Sequence, residues 1–151
     1  MNWDAMGATA ETIGALAVLF TILYLATQIR QTNSISRYSA SSNIMNQFNE
    51  LNLLVATNSV LRATLEKDSE LTKDELEQVY RFAISYCNVW VSIQAAYDNG
   101  MVDQTFFETG ARDVQIELDR WPSFRPAVEQ WLQNYPDFTD LEIFAPLKVL
   151  V

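Results

Sequence analysis

Apolar positions fall into two regimes along this chain. From Ala5 to Ile29 they are nearly continuous, and Glu11 is the only charge in 25 residues. Beyond Asn33 they recur at helical spacing, separated by polar positions. A continuous apolar run of that length makes about 37 Å of helix at 1.5 Å per residue, enough to cross a ~30 Å hydrocarbon core. Its densest part, Ile13 to Ala26, reads IGALAVLFTILYLA, and Trp3 and Tyr24 stand near its ends as interfacial aromatics do. A cleaved signal peptide wants a positive start and a small-residue site after the apolar core. Here the start is Met1-Asn2-Trp3-Asp4, and Ala15-Leu16-Ala17 lies inside the run. A buried core helix of a soluble oligomer is the other competitor. The preferred expectation is an uncleaved transmembrane anchor over residues 1–32, followed by a helical domain over 33–151.

In that second part, Ile35, Tyr38, Ile44, Met45, Phe48, Leu51, Leu54 and Val55 keep a helical period opposite a Ser/Asn-rich face. Nothing between Arg30 and Ser42 breaks a helix, so the span is expected to run on as one long helix. Asn58-Ser59 ends it, and a short helix over Val60 to Glu66 follows. Thr72 and Glu75 have capping-box spacing at the head of a helix from Lys73 to Asn99, which Gly100 stops. Its expected stripe is Leu76, Val79, Tyr80, Ala83, Tyr86, Cys87, Trp90, Ile93, Gln94 and Tyr97, wide and aromatic enough for a central helix. Asp103 is placed to cap a helix from Gln104 to Arg120, with Phe106, Phe107, Ala111, Val114, Ile116 and Leu118 apolar. Ser123 to Asn134 forms the next, with Pro126 in its first turn, where proline is tolerated, and a last short helix covers Asp140 to Phe144. No segment reads as a strand. The fold class is all-α: an N-terminal transmembrane helix followed by a helical bundle.

Charge sharpens this picture. The 151 residues carry a net charge of −9. Asp4, Glu11, Arg30 and Arg37 cancel, so the whole excess belongs to residues 39–151. An acidic domain repels phosphate backbones, which argues against nucleic acid as a partner. Arg30 and Arg37 follow the span and no Lys or Arg precedes it. The positive-inside rule then places the N-terminus outside and the C-terminal domain in the cytoplasm, at the inner (plasma) membrane.

Catalytic chemistry finds little purchase. The chain has no histidine, which removes the commonest general base and transition-metal ligand. Its single cysteine, Cys87, sits among apolar and aromatic neighbours and reads as an inert buried thiol. No phosphate loop, dinucleotide fingerprint or nucleophile elbow occurs. No catalytic, cofactor-binding or metal-ligating residues are therefore assigned. Asp113 and Glu117, four apart on a helix, could flank a substrate or bind a cation, but such a pair is more often solvated surface.

Interaction features are more numerous. Gly7, Ala10, Gly14 and Ala17, at spacings of three, four and three, make a small-residue stripe that suits close helix packing in lipid. Glu11 lies beside it, ~9 Å from the middle of the apolar stretch, and is the candidate intramembrane polar site. Arg120, Trp121, Phe124 and Arg125 combine the residue types that commonly serve as partner anchors, or else staple two helices. The tail from Leu141 to Val151 is apolar for a terminus and is expected to dock on its own bundle or on a neighbouring subunit.

The motif Trp3-Asp4-Ala5-x-Gly7, then Glu11, Ile13-Gly14-Ala15, and Leu23-Tyr24-Leu25-Ala26-x-Gln28-Ile29-Arg30-Gln31-x-Asn33, resembles a family of uncharacterised small bacterial single-span membrane proteins. The resemblance covers roughly the first 35 residues and is looser as far as about Phe107. It implies an N-terminal transmembrane helix with a helical cytoplasmic domain, and adds no catalytic residues. The functional expectation is a membrane-anchored helical interaction or scaffold protein without catalysis. Its partners are the lipid bilayer and either further copies of itself or a larger membrane protein, of which it would be an accessory subunit. The alternative is a small oligomeric channel with Glu11 lining the lumen.

Overall fold

The computed structural model describes residues 3–148, and of these all side chains except those at positions 3, 4, 5, 8, 10 and 148. Every regular element among them is helical, as the sequence pattern predicts. Helix α1 covers Trp3–Thr57, α2 Ser59–Leu65, α3 Lys73–Asp98, α4 Gln104–Arg120 and α5 Phe124–Asn134. Two 3-10 turns, Pro136–Phe138 and Glu142–Phe144, lead into the short α6, Ala145–Lys148. The chain divides into two units, residues 1–38 and 39–151. The Trp3 side chain and residues 149–151 of the apolar tail lie outside what is described.

The first unit is the leading part of α1. Two of its hydroxyls bond back within the helix: Thr21 Oγ1 donates to the Ala17 carbonyl at 2.8 Å and Thr27 Oγ1 to that of Tyr24 at 2.7 Å. Such back-bonding leaves few polar atoms in need of water along an otherwise apolar run.

The second unit packs around α3. Thr72 and Glu75 make both halves of the expected capping box, with the Thr72 backbone N–H donating to Glu75 Oε2 at 2.7 Å. Lys67 Nζ adds an ion pair to the same carboxylate at 2.8 Å. Together these hold the Glu75 carboxyl at about 2, well below its ordinary 4.5, with the Lys67 hydrogen bond the largest cause. At the other end Gly100 takes φ 64°, and the N–H groups of Gly100 and Met101 close back onto the Tyr97 and Ala96 carbonyls, both at 2.8 Å. This is the left-handed stop that glycine permits without a Cβ clash.

The buried face of α3 is wider than the expected stripe. Phe82 and Val89 join it, whereas Leu76 is exposed. Tyr86, Trp90, Phe124 and Phe144 form an aromatic centre, with Trp90 ring centroids 5.4 Å from Tyr86 and 6.1 Å from both Phe124 and Phe144. Edge-on and tilted contacts of this kind suit the ring quadrupoles. The part of α1 in this unit offers a narrow inward stripe of Ile44, Phe48, Leu51 and Val55, while Met45 and Leu54, expected to belong to it, are exposed. Ile35 and Tyr38, in the first unit, are exposed too.

Helix α4 meets α3 at Gly110, where a Cβ would come within 2.7 Å of Ile93 Cδ1. Ser123, expected as the first residue of α5, stands one position before it and makes no side-chain cap. Its hydroxyl instead donates to the Leu65 and Thr64 carbonyls at 3.2 and 3.3 Å, tying α5 to the end of α2. The described part of the tail folds onto this same unit: Ile143 and Phe144 are fully buried. The Ile143 N–H donates to Gln94 Oε1 at 2.9 Å, which accounts for an amide on the apolar stripe of α3.

Candidate functional site

Helix α1 is the one helix among the described residues that is long and apolar enough to cross a membrane. From Ile13 to Ile29 every Ile, Leu, Val, Phe and Tyr side chain is between 49 % and 70 % exposed. These residues point in all directions around the helix, so the surface is apolar on every side rather than along one stripe. Glu11 and Ala17 are exposed, and a Cβ added at Gly7 or Gly14 would meet nothing within 4 Å. The accessible part of the expected small-residue stripe is therefore Gly7, Gly14 and Ala17, the Ala10 side chain lying outside the described residues.

In the second unit Asp113 and Glu117 of α4 do not lie on solvated surface, the first being half-buried and the second buried. Helix α4 buries Phe107, Gly110, Val114, Glu117 and Leu118, and turns Ile116 outward. This corrects the expected stripe: period 3.6 carried inward from Phe107 and Val114 reaches position 117 before 116, whatever the residue types. Glu117 is only 4 % exposed. Its Oε2 accepts the Trp121 indole N–H at 2.8 Å, and its Oε1 accepts Arg120 Nη1 at 2.6 Å. Asp113 Oδ2, half-buried, accepts the Trp90 indole N–H at 3.0 Å. Two tryptophans from different elements thus each point their one polar atom at one of two carboxylates a helical turn apart.

Burial pushes both carboxyls up. For Glu117 the bonds from Trp121 and the Arg120 charge oppose that rise and the Asp113 charge adds to it, and for Asp113 the Trp90 bond and Arg120 oppose it. The Tyr86 hydroxyl is likewise raised, first by burial and then by the two carboxylates. A raised carboxyl binds its proton more tightly in the folded chain than in the unfolded one. Folding stability is therefore expected to rise as pH falls from neutrality through the raised values, the gain being complete below the ordinary 4.5 and 3.8. Glu75 works in the opposite sense, stabilising above 4.5 and losing that contribution as pH falls toward about 2. Urea midpoints of the second unit, followed by tryptophan fluorescence, should rise as pH is lowered from 7.5 toward the ordinary 4.5 of Glu117 and fall again as Glu75 is protonated toward about 2. Glu117→Gln keeps an acceptor for Trp121 and should flatten the gain; an unchanged slope in that variant refutes the assignment.

The expected partner anchors divide. Trp121 and Phe124 are buried, and Phe124 packs its ring against Phe82, Tyr86 and Trp90 of α3. Arg120 is half exposed but committed to Glu117, with its guanidinium 5.8 Å from the Trp121 ring centroid. Arg125 lies 3.7 Å from Asp119. That pair joins α5 to α4. Cys87 is fully buried and its thiol is raised by that burial, which keeps it protonated and unreactive. Among the described residues no group of three His, Cys, Asp or Glu side chains could hold a metal ion. An open groove of about 410 Å³ runs between α5 and the C-terminal turns, lined by Leu132, Pro136, Phe144 and Leu147 with Glu129, Gln133 and Thr139 at its polar positions.

Comparison of the sequence with protein-family models, with curated proteins and with solved structures finds no match.

Proposed function

We propose that this protein is a membrane-anchored helical interaction protein. The leading part of α1 crosses the bilayer and tethers the acidic helical unit at the cytoplasmic surface, where it assembles with membrane-bound partners. The observation that carries this reading is the exposure of ten large apolar side chains on all sides of α1 between Ile13 and Ile29. Full burial of each is worth roughly 1.5–3 kcal/mol. An amphipathic docking helix needs cover along one stripe only, whereas a helix apolar all round needs an apolar solvent on every side. Lipid supplies it, and the back-bonded Thr21 and Thr27 hydroxyls suit that solvent. Arg30 and Arg37 behind the span favour a cytoplasmic location for the acidic unit. The Glu117 carboxylate, buried and bonded to Trp121 and Arg120, and the buried Cys87 thiol favour assembly over catalysis.

The test is extraction of bacterial membranes containing the full chain with alkaline carbonate. Retention in the pellet, with protease digesting the acidic unit only in inverted vesicles, is the expected result. Release into the supernatant refutes the reading.

A further inference from the structure

Helix α1 carries a second unusual surface, within the acidic unit. Met45, Asn46, Asn49, Asn52, Leu53 and Ala56 are all exposed. At 3.6 residues per turn they fall within about 120° of one another, on the side away from the inward Ile44, Phe48, Leu51 and Val55. Between residues 38 and 61 the only charged residue is Glu50, which falls off this face. The face is therefore neutral in a unit that holds the whole −9 of the chain.

Composition of this kind selects its partner. A basic protein would seek the carboxylates, and lipid would seek a surface without amides. A two-fold contact between identical chains sets each residue at the axis against its own copy. There any charged side chain meets a like charge, and most exposed faces of this unit carry Asp or Glu. An asparagine amide is both donor and acceptor, so it pairs with its own copy, while Met45 and Leu53 supply apolar cover that also matches itself. A polar amide flanked by apolar residues is the device that fixes register in paired helices.

We infer that the face of α1 formed by Met45, Asn46, Asn49, Asn52 and Leu53 is the contact between two copies of this chain, packed α1 beside α1. The parallel arrangement, residue against the same residue, rests on the membrane reading above, since chains anchored in one bilayer share one direction.

The experiment is disulfide trapping of the full chain in native membranes, with buried Cys87 left in place. Asn49→Cys and Leu53→Cys are oxidised side by side with Glu77→Cys, which places a thiol on an exposed position of α3. Covalent dimers at 49 and 53 but not at 77 are expected in the carbonate-resistant fraction. Introducing Asn46→Glu beside the Leu53→Cys thiol should lower the trapped dimer at least about tenfold, because like charges are then set face to face. Membrane-resident chain that gives no dimer at 49 and 53, or gives equal dimer at all three positions, overturns the inference while leaving the anchor standing. If carbonate releases the chain, the anchor has failed, and sedimentation of the soluble protein decides the face by itself. A dimer that Asn46→Glu dissociates upholds it, and a monomer, or a dimer that persists, overturns it.

Discussion

Trp90→Ala is expected to remove most of the stability of the acidic unit. Trp90 has no exposed surface and touches Tyr86, Phe124 and Phe144 at once. Truncating a buried aromatic to alanine costs roughly 3–5 kcal/mol, from lost transfer energy and the cavity left behind. A second cost follows from the indole N–H that meets Asp113 Oδ2 at 3.0 Å. Its loss strips a half-buried carboxylate of a charge-assisted bond, which adds about 1–3 kcal/mol. The sum is comparable with the roughly 5–15 kcal/mol that domains possess. The variant should lose its near-ultraviolet circular dichroism and cooperative urea transition while keeping helical far-ultraviolet signal from α1. Trp90→Phe separates the two costs: the ring contacts remain and only the polar one disappears. It should fold, with a loss of about 1–3 kcal/mol at neutral pH that shrinks as acid protonates Asp113. A Trp90→Phe loss that is the same at pH 7.5 and below the ordinary 3.8 of Asp113 would show that the indole–carboxylate bond contributes nothing of its own.

The elements most legible in the sequence are those whose boundaries are set by local hydrogen bonding. Thr72 and Glu75 specify the start of α3 because both partners of the box lie within one turn, and Asp103 specifies α4 because its carboxylate reaches the Phe106 N–H at 2.8 Å. Asn58 breaks α1 and caps α2 through the Leu61 N–H at 3.0 Å. Gly100 marks the stop of α3 through a backbone conformation that other residues rarely adopt. Facing was harder to read than extent. Residue type alone put Ile116 inside and Glu117 outside, whereas the helix phase set by Phe107, Gly110 and Val114 does the reverse. Glu117 can be buried because Trp121 and Arg120 supply its donors, and those sit three and four residues later on the same helix turn. The pairing i, i+3, i+4 of acid, arginine and tryptophan was thus a readable signal once the phase was known. The bond from Trp90 to Asp113, 23 residues away, and that from Ser123 to the end of α2, 58 residues away, depend on tertiary packing and have no local signature.

The same distinction separates what α1 shows from what it is proposed to do. Its length and apolar character are properties of the chain, whereas its solvent must be measured. Leu19→Arg combined with Phe20→Arg is the decisive change. Both side chains lie in the middle of the apolar run, 57 % and 70 % exposed, on adjacent faces. On the insertion scale each substitution exchanges a residue favoured by about 0.3–0.6 kcal/mol for one disfavoured by about 2.5–3.5 kcal/mol. Two such changes raise the cost of the span by roughly 6–8 kcal/mol, beyond what snorkelling from the helix centre readily relieves. The double variant should appear in the carbonate supernatant or be degraded, and the acidic unit recovered in soluble form should keep its urea midpoint, because neither residue belongs to its core. Leu19→Ile with Phe20→Leu exchanges apolar side chains for others of different shape and should stay in the membrane, since lipid conforms to either. A protein interface around α1 responds differently: shape matters there, and the apolar double variant would weaken assembly as well. Retention of the diarginine chain in the carbonate pellet, with its acidic unit folded, would mean that α1 is held by something other than hydrocarbon.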